Sequence, residues 1–266
     1  MKSLTKSHLF EPLSKENKQE KEELYFPDYF FLKRVLRHKG AILGFFILSS
    51  VVIFALIGPL CSPYTYSKTH LALKNLPPSK LFWFGSDDLG RDMFTRICHG
   101  ARISLSVGIL SATLDLVIGV IYGSIAALSN ESVDNCLMRV CDTLNAIPYL
   151  LMVIMFTVIF GHGLFPIIFA LTLTGWIGMA RIVRGQILYL KQQEYVLAAK
   201  TYGASSLRIL LKHLLPNALG PIIVTTTLTI PTAIFTEAFL SFLGLGVQAP
   251  LASWGTMASE GLSAMR

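Results

Sequence analysis

Charge is scarce in this chain: Asp, Glu, Lys and Arg make up 15% of its 266 residues, while 53% are hydrophobic and the mean hydropathy is +0.57. That balance excludes an ordinary soluble domain and makes the bilayer the main solvent. Catalytic signatures are also missing. No P-loop, H-E-x-x-H or G-x-S-x-G occurs, so no catalytic residue is assigned, and the chain is expected neither to act as an enzyme nor to hydrolyse ATP by itself. Cysteines are few, and Cys61, Cys98, Cys136 and Cys141 show no C-x-x-C pair and no His at zinc spacing, so no metal site is expected. The formal net charge is +7, yet the Lys and Arg residues fall between apolar stretches and form no stripe interleaved with aromatics, which excludes a nucleic-acid surface. No cleavable signal peptide is expected, because the first residues carry Lys2, Lys6, Lys15, Glu16 and Lys18 where an apolar run would stand. The segment to about Leu24 is expected to be disordered. No internal repeat is visible, which argues against a self-contained secondary transporter built from two related halves.

What the chain does contain is long uncharged runs, and about 20 apolar residues suffice to cross the hydrocarbon core as a helix. The runs predict an all-α integral membrane protein with spans at Ile42 to Leu60, about Ile103 to Leu128, two between Asp142 and Arg181 separated by the turn Gly161-His162-Gly163, and about Leu219 to Leu243. Lys33, Arg34, Arg37 and Lys39 flank the first span, and Arg181, Arg184, Lys191, Lys200, Arg208 and Lys212 follow the fourth. Both flanks read as cytoplasmic, and four intervening crossings make that parity consistent. The segment from Cys61 to Arg102 is then external although it carries Lys68, Lys74, Lys80, Arg91, Arg96 and Arg102, which runs against the charge bias. Gly119 and Gly123 lie at helical spacing and predict close helix packing.

Between the last two spans, Tyr195 to Asn217 reads as short helix, turn, helix. Gly203 can take a left-handed conformation without steric cost, Ser205 or Ser206 can cap the next helix, and Pro216 restarts the backbone at the following span. Ala198 and Ala199 offer a shallow surface that lets another protein approach the backbone, beside an apolar face of Val196, Leu197, Leu207, Ile209, Leu210 and Leu211. The alternative is an amphipathic helix in the membrane interface whose cations meet acidic lipid. Asp115 and Glu237 are the ionisable groups inside spans, and each is either a pathway contact or a satisfied packing group.

Several short motifs, taken in order, resemble those of a known family. They are Gly85-Ser-Asp-Asp-Leu-Gly90-Arg91-Asp92, then Gly100-Ala-Arg102-Ile-Ser104-Leu, then Asp134, Arg139, Asp142 and Pro148, then Trp176, Arg181, Arg184 and Gly185. Ala198-Ala199, Gly203, Ile209 and Leu215-Pro216-Asn217 follow, and Phe242-Leu-Gly-Leu-Gly246 with Ser253-Trp254-Gly255 closes the series. Together they resemble the transmembrane permeases of ABC importers, in particular the dipeptide, oligopeptide and nickel group. The resemblance implies a helix bundle of the type I ABC importer permease kind, with residues 1–40 as a cytoplasmic segment, 41–266 as the permease domain and a coupling loop over about 190–217. It implies, too, a coupling site at Tyr195, Ala198, Ala199, Gly203, Ile209 and Pro216, docked on an ATPase. Expected partners are a second permease, two cytoplasmic ATP-binding subunits, an external substrate-binding protein and membrane lipid. No cofactor is expected on this chain, ATP being held by the partners, and the place is a bacterial inner membrane with the amino terminus cytoplasmic.

Two features depart from the family pattern. Leu197 stands where the loop motif has Glu, so docking is expected to lean on apolar contact. Members also continue through a sixth span after Trp254-Gly255, which the residues to Arg266 do not supply, as in a shortened member or a fragment. Di- and oligopeptides are the leading substrates by resemblance. Nickel chelates or other small solutes, an ion-coupled transporter using Asp115 and Glu237, and a non-transporting scaffold are the rivals.

Overall fold

The structure is a computed structural model that describes residues 37–264; the amino-terminal segment expected to be disordered lies outside the described residues. The chain divides into two units, Met1–Val51 and Val52–Arg266, each described by itself. Helix α1 (Lys39–Cys61) begins in the first and ends in the second. The second unit holds α2 (Met93–Leu128), α3 (Glu131–Asn145), α4 (Tyr149–Phe160), α5 (Leu164–Leu190), α6 (Glu194–Thr201), α7 (Ser206–Ile209), α8 (Leu215–Phe242) and α9 (Trp254–Ala264). Helices follow the apolar runs because hydrocarbon offers a backbone amide no water, so each N–H must be satisfied within its own segment.

α1, α2, α5 and the rod Ser206–Phe242 are each long and apolar enough to cross a membrane. The predicted third span takes a different form. α3 and α4 meet at 77°, the geometry of a broken span or of a re-entrant loop. Pro148 explains the break, because its ring disfavours helix at Ile147 and it brings no N–H to the ladder. α4 alone has 12 residues, a rise of roughly 18 Å and too short to cross.

The fifth span also begins earlier than expected. Pro216 does not restart the backbone, since a π turn over Leu210–Leu214 joins α7 to α8 and the helix runs on for 37 residues. A wider turn accommodates a residue without an N–H, and the Asn217 side-chain amide donates to the His213 carbonyl at 2.6 Å.

Two apolar clusters sit at opposite ends of α2. At its carboxyl end, Ala127 packs with Val183, Ile187, Val196, Ile209, Leu214 and Ala218, which brings α5, α6, α7 and the start of α8 together. Toward its amino end, Ile103 packs with Val153, Phe156, Ile167, Leu240 and Val247. Between them α2 and α5 touch closely: a Cβ on Gly119 would stand 2.6 Å from Met179 Cβ, and one on Gly123 would meet the Ala180 carbonyl. The expected close packing through these glycines is therefore present.

Candidate coupling elbow and membrane cavity

The elbow is built by a two-bond helix stop. The Ala204 N–H donates to the Ala199 carbonyl at 3.1 Å and the Gly203 N–H to Lys200 at 3.0 Å, with Gly203 at φ +79°. That pairing satisfies the last carbonyls of α6 and demands a left-handed residue, which glycine supplies without a Cβ penalty. Ser205, not Ser206, caps α7, its Oγ accepting from the Arg208 N–H at 3.4 Å.

The expected apolar face divides in two. Val196, Ile209 and Leu210 are buried in the elbow's own core, whereas Leu197, Leu207 and Leu211 are exposed and Tyr202 is 91% exposed. Ile209 thus faces the elbow's own core. Ala199 is half-buried against the same core, while Ala198, Gly203 and Pro216 lie at the surface. Tyr195 is exposed beside the His213 ring, with centroids 6.5 Å apart.

The elbow stands on a braced end of the bundle. Lys191 Nζ donates to the Ala127 carbonyl at 2.7 Å, closing the carboxyl end of α2, where a cation also meets the negative pole of the helix. Arg184 binds Asp134 on α3 through both carboxylate oxygens, and Arg181 reaches Asp142 at 2.9 Å. The acids of the Asp134–Asp142 motif and the arginines of the α5 motif are therefore partners.

The two membrane acids part company. Glu237 is fully buried and accepts from Ser241 Oγ at 2.8 Å and Ser104 Oγ at 3.3 Å; Ser104 Oγ in turn accepts the Trp254 N–H at 3.1 Å. It ties α2, α8 and α9 together. Asp115 instead lines a cavity of about 400 Å³ with Ser111, Gly175, Thr225, Thr229, Thr232 and Thr236. The threonines are not among the expected site residues, although their spacing along one helical face is readable in the sequence.

At the far end, the segment from Ser62 to Asp92 is fastened by charge. Asp87 accepts from the Arg91 and Leu89 backbone amides at 2.8 and 3.0 Å, from Arg91 Nε at 2.6 Å and from Arg96 Nη1. Burial pushes its carboxyl up, but the Arg91 and Leu89 hydrogen bonds and the Arg91 charge outweigh that and hold it below its ordinary value. Arg96 also reaches Glu260 on α9 at 2.8 Å. Arg102 donates to the Ala55 and Leu56 carbonyls at 2.6 Å each. Arg91, Arg96 and Arg102 are thus committed to structure, which accounts for part of the cationic excess in this segment.

Residues 119–265 match the family of the binding-protein-dependent transport system inner membrane component. The chain belongs to that family. Residues 30–78 match the N-terminal TM domain of oligopeptide transport permease C. The permease is 57% identical over 232 residues to an oligopeptide transport system permease protein of Bacillus subtilis (strain 168), covering 87% of this chain and 76% of that one. A dipeptide transport system permease protein of the same organism is 55% identical over 230 residues, covering 86% and 72%. Among solved structures, an inward-facing MetNI methionine ABC transporter chain superposes with a TM-score of 0.54 at 22% identity, covering 63% of this chain and 81% of that one. The permease is a multi-pass, all-helical membrane component of a transport system with an ABC-transporter permease fold.

Proposed function

We propose that this permease forms one membrane half of an ATP-driven importer of di- and oligopeptides, in a bacterial inner membrane with its amino terminus in the cytoplasm. A second permease completes the pathway, two cytoplasmic ATP-binding subunits drive it, and an external binding protein delivers the peptide. Residues 41–266 are the permease domain, and the chain itself carries out no chemistry. The peptide assignment rests on the relatives named for oligopeptide and dipeptide transport. The observation that carries the coupling reading is the elbow, with its inner face locked to the bundle and Leu197, Tyr202 and Leu207 presented outward.

ATP shifts the assembly only by binding its closed ATPase arrangement better than its open one. A closing partner drags α7. Because the π turn joins α7 to α8 in one helical rod, a displacement at Leu207 reaches Thr232, roughly 38 Å along it, by rigid-body motion.

The test is uptake of a labelled tripeptide in cells lacking the chain, complemented by wild type or Leu207→Asp. Wild type is expected to restore ATP-dependent uptake, and Leu207→Asp to reach the membrane without restoring it. Uptake that survives ATP depletion and collapses with the ion gradient would overturn the ATP-driven reading; no uptake defect on deletion would overturn the transport reading altogether.

A further inference from the structure

The cavity between α2, α5 and α8 is chemically one-sided. Asp115 is 4% exposed and its Oδ1 has no hydrogen-bond partner; Ser111, 1% exposed, has an unpartnered Oγ beside it. Gly175 makes room for the acid, since a Cβ there would stand 2.8 Å from Asp115 Cγ. Across the cavity every threonine has already spent its proton. Thr225 donates to the Pro221 carbonyl at 2.9 Å, Thr229 to Thr225 at 3.0 Å, Thr232 to Leu228 at 2.9 Å and Thr236 to Thr232 at 2.8 Å. Their free lone pairs can only accept, as can Asp115 once a cation beside it keeps it ionised, and Ser111 is the one hydroxyl with a proton to spare. Such a wall rejects a carboxylate or phosphate, which would find acceptors facing it. It suits a compact cation with several N–H donors, and an ammonium group has three and no lone pair.

Position agrees with this chemistry. Asp115 lies roughly 20 Å along α2 from its Leu128 end, deep in the hydrocarbon, where an unpaired carboxylate is costly and a transient cation would relieve it. Among the described residues no Lys or Arg bonds Asp115. The cavity is reachable, since Thr232 and Leu228 beside it are exposed. We infer that Asp115, Ser111 and the threonines of α8 form a station for a primary ammonium group of the peptide in transit, at its amino terminus or on a lysine side chain. This rests on the peptide-import reading.

The experiment compares, in cells producing the complete transporter, initial uptake of a lysine-free tripeptide and its N-acetylated form, chosen so that both are measurably taken up by wild type. The external binding protein is common to wild type and variant, so its own preference cancels when the two uptake ratios are compared. Asp115→Asn is expected to narrow the ratio of free to acetylated peptide by about tenfold, the free form losing more than the acetylated one. Thr229→Val/Thr232→Val, at residues less buried than Asp115, is expected to narrow it in the same direction by a smaller factor and serves if Asp115→Asn does not reach the membrane. An N-acetylated lysine peptide separates the two sources: a loss that spares it assigns the station to the amino terminus, and a loss that includes it extends the station to any primary ammonium. An unchanged ratio in the variants, or an equal fall for both peptides, overturns the station while leaving peptide import intact. Should wild type take up no tripeptide from which such a pair could be chosen, the import reading falls and the station with it.

Discussion

The Arg184 guanidinium holds the Asp134 carboxylate through two parallel hydrogen bonds, Nε to Oδ1 and Nη2 to Oδ2, each 2.5 Å long. The fork fixes α3 across the carboxyl half of α5, at the end of the bundle that carries the elbow. A planar cation matched to both oxygens of one acid gives orientation as well as energy.

Both partners of that pair are largely shielded, with side chains 29% and 12% exposed, whereas Arg181 and Asp142 are 44% and 61% exposed. Asp134→Ala is therefore expected to cost about 1–3 kcal/mol, because Arg184 loses both acceptors in a shielded place. Asp142→Ala should cost less than about 1 kcal/mol. Thermal unfolding of the purified protein in detergent, with the Asp134/Arg184 double-mutant cycle, checks the difference. Equal effects at the two pairs would refute the ranking.

Much of this architecture is legible from residue order. The apolar runs locate α1, α2, α5 and α8, and Gly119 and Gly123 announce the close α2–α5 contact. Helix ends are less legible. Pro216 looks like a break in sequence, but a π turn lets the helix pass through it. The motif containing Asp134 and Asp142 was visible, but its arginine partners lie some forty to fifty residues away, and periodicity along one helix carries no information about such pairings. Asp115 and Glu237 were indistinguishable for the same reason. Only the neighbours brought by other helices show that Glu237 is satisfied and Asp115 is not.

Glu237 gathers hydroxyls from two helices in a fully buried site. Glu237→Ala removes the acceptor for Ser104 and Ser241 and leaves a cavity, for an expected loss of about 3 kcal/mol. Glu237→Gln keeps an acceptor and should lose much less. Neither is expected to change the ratio of free to acetylated peptide uptake. A selectivity change in Glu237→Gln at normal stability would place this residue in the pathway.

Acid sensitivity should appear at the far end of the bundle. Asp87 is held below its ordinary value of 3.8, so the stability it contributes is fully present above about pH 4 and is lost as pH falls through its lower folded value. Wild type should therefore melt progressively earlier as pH drops below about 4. Asp87→Asn should be less stable at pH 7, with a shallower decline in that acid window. Parallel pH profiles for the two proteins would contradict this assignment.

Gly203 separates backbone strain from crowding. A Cβ there would meet nothing within 4 Å, so a substitution acts through φ +79° alone. A left-handed non-glycine residue costs about 1–2 kcal/mol, least for Asn and most for a β-branched side chain. Gly203→Asn is expected to keep most uptake. Gly203→Val should re-aim α7, leaving membrane insertion intact and lowering the unfolding temperature by only a few degrees, while peptide uptake falls and ATP hydrolysis by the assembly continues. The check is uptake and ATPase rate measured side by side on reconstituted transporter, and normal uptake by Gly203→Val would remove the elbow from the coupling path.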